Sequence, residues 1–190
     1  LTIRSNCVVQ RLIIKGGKVT GVEVESGGER FIVEGEEIIL SAGSIGSPHI
    51  LMLSGIGPVE NLQSVGVPVV NDLPGVGQNL RDHPHAFVTW RTQEHHHLDE
   101  MAPRSQVSVR WTAEGSDFRN DLMLSMVSFG SDRLKQQAAR SKPMGISMLA
   151  SLELAVGSGE LRLTSSDPNV QPFLDYRYLE EEFDRRRMRE

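Results

Sequence analysis

Between Ile38 and Leu53 a short apolar run ends in small residues and passes directly into a proline-led segment. Ile38-Ile39-Leu40 is continuous and largely β-branched, the pattern of a strand covered on both faces. Ser41-Ala42-Gly43-Ser44 follows, and then Ser47-Pro48 opens a predicted helix, with Ser47 at the N-cap and Pro48 at the first helical position. Ile50, Leu51, Met52 and Leu53 fill about a turn and a half of helix, and Gly55 suits the left-handed C-terminal cap. A buried strand feeding a helix through small residues is the working joint of an α/β domain. The free amides and positive end of such a helix favour a negative ligand such as a phosphate. The same small residues also serve simply to pack strand against helix, so the pattern by itself leaves both readings open.

The first forty residues have another rhythm. Cys7 to Ile14 reads as a strand, Lys15-Gly16-Gly17-Lys18 as a turn, Val19 to Val24 as an alternating strand, and Ser26-Gly27-Gly28 as a second turn before Phe31-Ile32-Val33. This predicts an antiparallel meander with one wet face. After Leu53, Gly57-Pro58 opens a second helix carrying Val59, Leu62 and Val65, and Gly66 closes it. Val67-Pro68-Val69-Val70 reads as a short strand leading to the Gly- and Pro-rich loop Leu73 to Pro84. Farther on, residues 92–105 read as a polar loop. Val107 to Trp111, Leu122 to Phe129, Met144 to Val156 and Gly159 to Leu163 carry strand patterns, Arg133 to Arg140 a helix, and Leu179 to Glu190 a helix with acids first and arginines last.

Composition narrows the function classes. Twenty basic against 25 acidic residues give a net charge of −5, which argues against a nucleic-acid or anionic-membrane surface. No apolar run reaches the roughly 18 residues of a spanning helix. The lone Cys7 permits no internal disulfide, is compatible with a reducing compartment such as the cytoplasm, and reads as a small buried hydrophobe. The chain enters at once into strand-like Leu1 to Arg4 and leaves in a helix with no stop signal, so we expect an internal segment of a longer polypeptide.

Several constellations compete for the chemistry. Gly55-Ile56-Gly57 and Gly75-Val76-Gly77 lack the third glycine of a dinucleotide fingerprint, and both read as turns. Asp82-His83-Pro84-His85 has the ligand spacing of a metal site, with the run His95-His96-His97 nearby, which would suit a metal-dependent hydrolase. No further well-spaced acid or histidine follows in sequence, so no metal ligand is assigned. No Gly-x-Ser-x-Gly follows a strand, which leaves Ser41 and Ser44 as spacers. A non-catalytic binding module is the remaining alternative.

The uninterrupted run Gly43-Ser44-Ile45-Gly46-Ser47-Pro48-His49-Ile50-Leu51-Met52-Leu53-Ser54-Gly55-Ile56-Gly57 resembles the second signature of the glucose–methanol–choline (GMC) oxidoreductases. Glu37 to Gly43 before it and Asp72 to Pro84 after it are similar to the family as well. So is the tail, in Gly159 to Leu163, Asp167-Pro168, Gln171-Pro172 and Asp175-Tyr176. The resemblance is tight over 1–84, loose over 85–156 and moderate from 157.

What the resemblance implies is an α/β fold: part of an FAD-binding Rossmann-like domain over 1–84, then part of an α+β substrate domain with an antiparallel sheet over 85–190, with 157–190 beginning the family's C-terminal region. It implies FAD as cofactor and a small-molecule alcohol as substrate, oxidised by hydride transfer to flavin while a histidine base takes the hydroxyl proton. Val8 matches the position whose backbone meets the adenine. Ala42 and Gly43 match small residues beside the dinucleotide, and Asn79, Asp82 and His83 match the loop closing next to the cofactor. The family's glycine turn belongs before Leu1 and its catalytic histidine after Glu190, so none of the catalytic residues is expected here and His83 is not the base.

Overall fold

The computed structural model describes residues 2–93, 95, 103, 105–130 and 145–190. The expected helix Arg133 to Arg140, together with His96 and His97, lies outside the described residues. In chain order the first elements are β1 (Val8–Lys15), β2 (Lys18–Ser26), β3 (Glu29–Glu34), α1 (Gly43–Leu53), β4 (Ile56–Gly57) and α2 (Val59–Ser64). They are followed by β5 (Asn71–Asp72), β6 (Gln78–Leu80), β7 (His85–Arg91), β8 (Ser105–Trp111) and β9 (Leu122–Gly130). The last are β10 (Gly145–Leu152), β11 (Gly159–Arg162), β12 (Phe173–Asp175) and α3 (Glu182–Arg189). The fold is mixed α/β, and among the described residues every strand pairing but the β4–β5 pair is antiparallel.

Contacts divide the chain into two units, Leu1–Leu80 with Ser158–Tyr176, and Arg81–Gly157 with Arg177–Glu190. The division does not follow sequence order as 1–84 and 85–190 would: β11 pairs with both β12 and β6, which draws 158–176 to the first unit.

In the first unit the meander forms as the turn residues direct. β1, β2 and β3 lie in that order, with Val22 opposite Leu12 on one side and Val33 on the other. Glycines 16, 17, 27 and 28 all take the positive φ that tight turns require. A dry cluster of Met52, Leu62, Val67, Val76, Leu161 and Leu163 joins α1, α2 and β11. Asn61 clips the chain beside it, donating from Nδ2 to the Leu163 carbonyl at 3.0 Å and accepting the Leu163 amide at 2.9 Å.

Three expectations need correcting in this unit. Ile38-Ile39-Leu40 forms no ladder, and Ile39 is 78% exposed. An apolar triplet becomes a strand only when another strand satisfies its amides and carbonyls, and no described residue pairs with it. The helix begins at Gly43, not Pro48, so Pro48 lies inside it. Gly43 has φ +81, a conformation that costs glycine little, and this lets the chain enter the helix early. Ser47 still serves the helix start, its Oγ accepting the Ala42 amide at 3.0 Å. Last, Val67 to Val70 stays outside the ladder, and the parallel pairing starts at Asn71. Gly55, with φ +83 just beyond the Ser54 cap, closes α1 as anticipated.

The second unit is a four-stranded antiparallel sheet in the order β7-β10-β9-β8. Ala113, Leu122 and Leu152 form its small apolar core. α3 is shorter than the expected helix from Leu179, because Arg177 and Leu179 adopt positive φ and break the helical path before Glu181. What fixes α3 is charge. Arg187, fully buried, donates to Asp121 Oδ2 at 2.7 Å and to Asp184 Oδ1 at 2.6 Å, and its guanidinium lies 4.2 Å from the Phe183 ring centroid. Asp184 also accepts the amides of Val156 and Gly157 at 3.0 and 2.9 Å. No described helix is long and apolar enough to cross a membrane.

Candidate cofactor site and a histidine–glutamate cluster

The first candidate region is the head of α1. Ala42 at its N-cap makes no side-chain capping bond, and no acidic residue lies in the first turn. Residues 41 to 44 are exposed, and a Cβ at Gly43 would meet nothing within 4 Å. Gly46 is required for close packing, since a Cβ there would come within 2.9 Å of the Ala42 Cβ. An open, uncapped head without a competing carboxylate fits an anionic group such as a dinucleotide pyrophosphate. Farther along α1, His49 Nε2 is buried with no hydrogen-bond partner among the described residues, and burial pulls its pKa down, favouring the neutral ring.

Val8 opens β1, an edge strand. Every second residue of such a strand turns its amide and carbonyl away from the sheet, so β1 has main-chain groups available to a ligand. Asn79 lies in β6 with φ +58, a left-handed conformation that asparagine tolerates, and it is exposed. Val8, Ala42, Gly43 and Asn79 thus belong to the first unit, whereas Asp82 and His83 belong to the second.

Asp82 is fixed by two donors: Oδ1 accepts the His83 amide at 2.8 Å, and Oδ2 accepts the Tyr178 hydroxyl at 2.9 Å. These bonds, the amide first, hold its pKa below the usual aspartate value and keep it ionised. In the sequence, Asp82 is the acid that stands beside His83 and His85 for a metal. The structure instead brings Glu153 to the two rings, and the ligand atoms of His83, His85 and Glu153 all lie within 4.8 Å of one another.

The register explains that meeting. β7 and β10 pair antiparallel with His85 opposite Ser151, and the Leu152 amide donates to the Pro84 carbonyl at 3.1 Å. Continuing that register sets Glu153 against His83, and the two-residue period of extended chain puts 83, 85, 151 and 153 on one face. Glu153 is buried and held by two donors, Ser151 Oγ to Oε1 at 2.6 Å and Arg110 Nη2 to Oε2 at 2.8 Å. Sequence reading overlooked Glu153, Ser151 and Arg110. The one local signal is a lone acid in phase with Ser147 and Ser151, both buried, on an otherwise apolar alternation. Beside the cluster lies a cavity of about 200 Å³ lined by Arg81, Asp82, His83, Phe118, Glu153, Leu154 and Ala155.

Residues 1–85 match the family model described as GMC oxidoreductase. This stretch belongs to the GMC oxidoreductase family. It is 30% identical to an oxygen-dependent choline dehydrogenase of Sinorhizobium medicae, over 91% of this chain and 35% of that protein. Similarity to an oxygen-dependent choline dehydrogenase of Photobacterium profundum is 29% over 100% of this chain and 37% of that protein. The chain therefore spans roughly a third of the length of these curated relatives. Among solved structures, pyridoxine 4-oxidase from Mesorbium loti superposes with a TM-score of 0.80 at 24% identity, covering 96% of this chain and 36% of that one. Formate oxidase of Aspergillus oryzae RIB40, in a structure concerned with FAD modification, gives a TM-score of 0.81 at 22% identity over 96% of this chain and 41% of that one. At these identities the structural likeness establishes the fold alone.

Proposed function

We propose that the natural polypeptide carrying these residues is an FAD-dependent GMC oxidoreductase that oxidises a small alcohol at a CH–OH carbon. The observation that carries the reading is the family match over residues 1–85, which includes the residues forming the open head of α1. The two curated relatives described above are choline dehydrogenases, and choline is accordingly the first alcohol to test.

When bound, FAD accepts the hydride from the alcohol carbon. This chain's own part is to bind and orient. The exposed stretch Gly43 to Ser44 at the head of α1 would meet the negative pyrophosphate, while the Ala42 amide is taken by Ser47 Oγ; the positive end of α1 is worth typically about 0.3–1 kcal/mol for each charge. Val8, on the edge strand of the meander, would offer main-chain groups to the adenine, and Asn79, in its left-handed conformation, would lie beside the same cofactor. Asp82, ionised and tethered by Tyr178, fixes the backbone at His83, and these two complete the six residues assigned to the cofactor. We assign proton abstraction to none of them.

The test is anaerobic. The purified natural polypeptide is mixed with choline, and separately with short primary alcohols, while the visible flavin absorbance is followed. Bleaching by one of these alcohols is the expected result. Flavin that bleaches with dithionite but with none of the alcohols, or a protein that holds no flavin, would overturn the reading.

A further inference from the structure

His83 is assigned to the cofactor through its backbone alone, and the side chains of the cluster on the face of the β7–β10 ladder serve no step of the proposed oxidation, yet they have the parts of a metal centre. We propose that His83, His85 and Glu153 form a three-ligand site for a late first-row divalent cation, with zinc as the reference ion. The proposal does not rest on the flavin reading.

Ligand type comes first. Two imidazoles and one carboxylate suit zinc, copper, nickel or ferrous iron, whereas magnesium and calcium prefer all-oxygen shells. Spacing comes next. His83 Nδ1 lies 3.4 Å from Glu153 Oε1. That is long for a charge-assisted hydrogen bond, which closes to about 2.7–2.9 Å. It is close to the edge of a tetrahedron with metal–ligand bonds of about 2.1 Å, which is roughly 3.4 Å. The whole set lies within 4.8 Å, so closing the site needs movement of about 1 Å, which an exposed ring such as that of His85 makes by rotation.

Support for the first ligands is already built. Metal-binding carboxylates are held in orientation by their own hydrogen-bond partners. Here Ser151 and Arg110 take one oxygen each of Glu153 and fix its plane. The Arg110 charge opposes a cation, and the Asp82 carboxylate, which lines the same cavity as His83 and Glu153, offsets it. Three protein ligands leave a coordination position open, as in zinc sites that bind water or a small anion. The cavity of about 200 Å³ reaches both His83 and Glu153 and gives that fourth ligand room and an entry path.

The test must exclude the histidine run His95 to His97, so these three are replaced by alanine in every protein compared. Zinc affinity is measured by competition with a chromophoric chelator, and cobalt is added separately to read the coordination by its visible bands. The expected result is one zinc per chain, no comparable magnesium binding, and tetrahedral or five-coordinate cobalt bands. His85→Ala, whose exposed ring leaves the core intact, should weaken zinc binding at least about tenfold and abolish the cobalt bands. Ser151→Ala should weaken it about 10–100-fold, the usual effect of removing a partner that orients a ligand. Zinc binding unchanged in His85→Ala, or absent in the parent while circular dichroism shows it folded, would overturn the site.

Discussion

The two units of this chain solve the same stabilisation problem with different materials. The first buries Met52, Leu62, Val67, Val76, Leu161 and Leu163 against one another, and the polar groups it buries are neutral, such as Gln10 and Ser54. Among its described residues the second has only Ala113, Leu122 and Leu152 in its apolar core, and around them it buries Asp121, Glu153, Asp184 and Arg187. The reason lies in α3, whose sequence Glu-Phe-Asp-Arg-Arg-Arg-Met-Arg offers little to a dry interior. A helix of that composition docks through charge, and each buried charge must then be matched. Apolar packing tolerates graded loss, while a buried ion network fails when one member is removed.

The largest expected effect follows from that difference. Arg187→Met keeps most of the volume but leaves Asp121 and Asp184 without their shared cation, and should cost the second unit about 3–5 kcal/mol. Both tryptophans, Trp90 and Trp111, belong to that unit, so denaturant unfolding followed by tryptophan fluorescence reads the loss directly. A loss below about 1 kcal/mol would place the triad with surface pairs and dissolve the contrast. In the first unit Leu62→Ala should cost about 2–5 kcal/mol through the cavity it leaves, read by faster hydrogen exchange at Leu161 and Leu163.

Acid separates the units more gently. Burial pushes the Asp121 carboxyl up, but the hydrogen bonds from Ser116, Arg187 and the Ala113 amide outweigh it and hold the pKa below the usual aspartate value. A carboxyl whose folded pKa is depressed adds stability above the unfolded value of about 3.9 and loses it as pH falls through the folded one. The second unit should therefore weaken on acidification below about pH 4. Asp121→Asn, already destabilised near pH 7, should lose less on the same acidification. An equal acid slope in the variant and the parent would show that Asp121 does not govern the response.

The same contrast decides what could be read from the residues in order. The meander was legible because its instructions are local: alternation in β2, and glycine pairs at 16–17 and 27–28 where φ must be positive. The cap at Gly55 and the opening of α2 after Pro58 were legible for the same reason. Ile38 to Leu40 misled because burial and pairing are properties of a neighbour, and an apolar triplet does not carry its neighbour with it. The start of α1 was displaced because Pro48 is a strong helix-opening signal that Gly43 pre-empts. In the second unit the decisive facts are registers between distant strands. Nothing around Glu153 announces His83, and nothing around Arg187 announces Asp121. The cofactor assignments at Val8, Ala42, Gly43, Asn79, Asp82 and His83 rest on likeness to a family, with local geometry supporting Ala42 and Gly43 most fully.

The most direct measurement is therefore at the head of α1, in the natural polypeptide. Ala42→Asn and Ala42→Asp both supply a good N-cap and should leave the helix at least as stable as before. Only the aspartate sets a fixed negative charge where the pyrophosphate is proposed to bind. Bound flavin per chain should stay near the parent level in Ala42→Asn and fall sharply in Ala42→Asp, with thermal stability of the flavin-free protein unreduced in both. Equal flavin content in the parent and Ala42→Asp would contradict the placement of FAD at this helix.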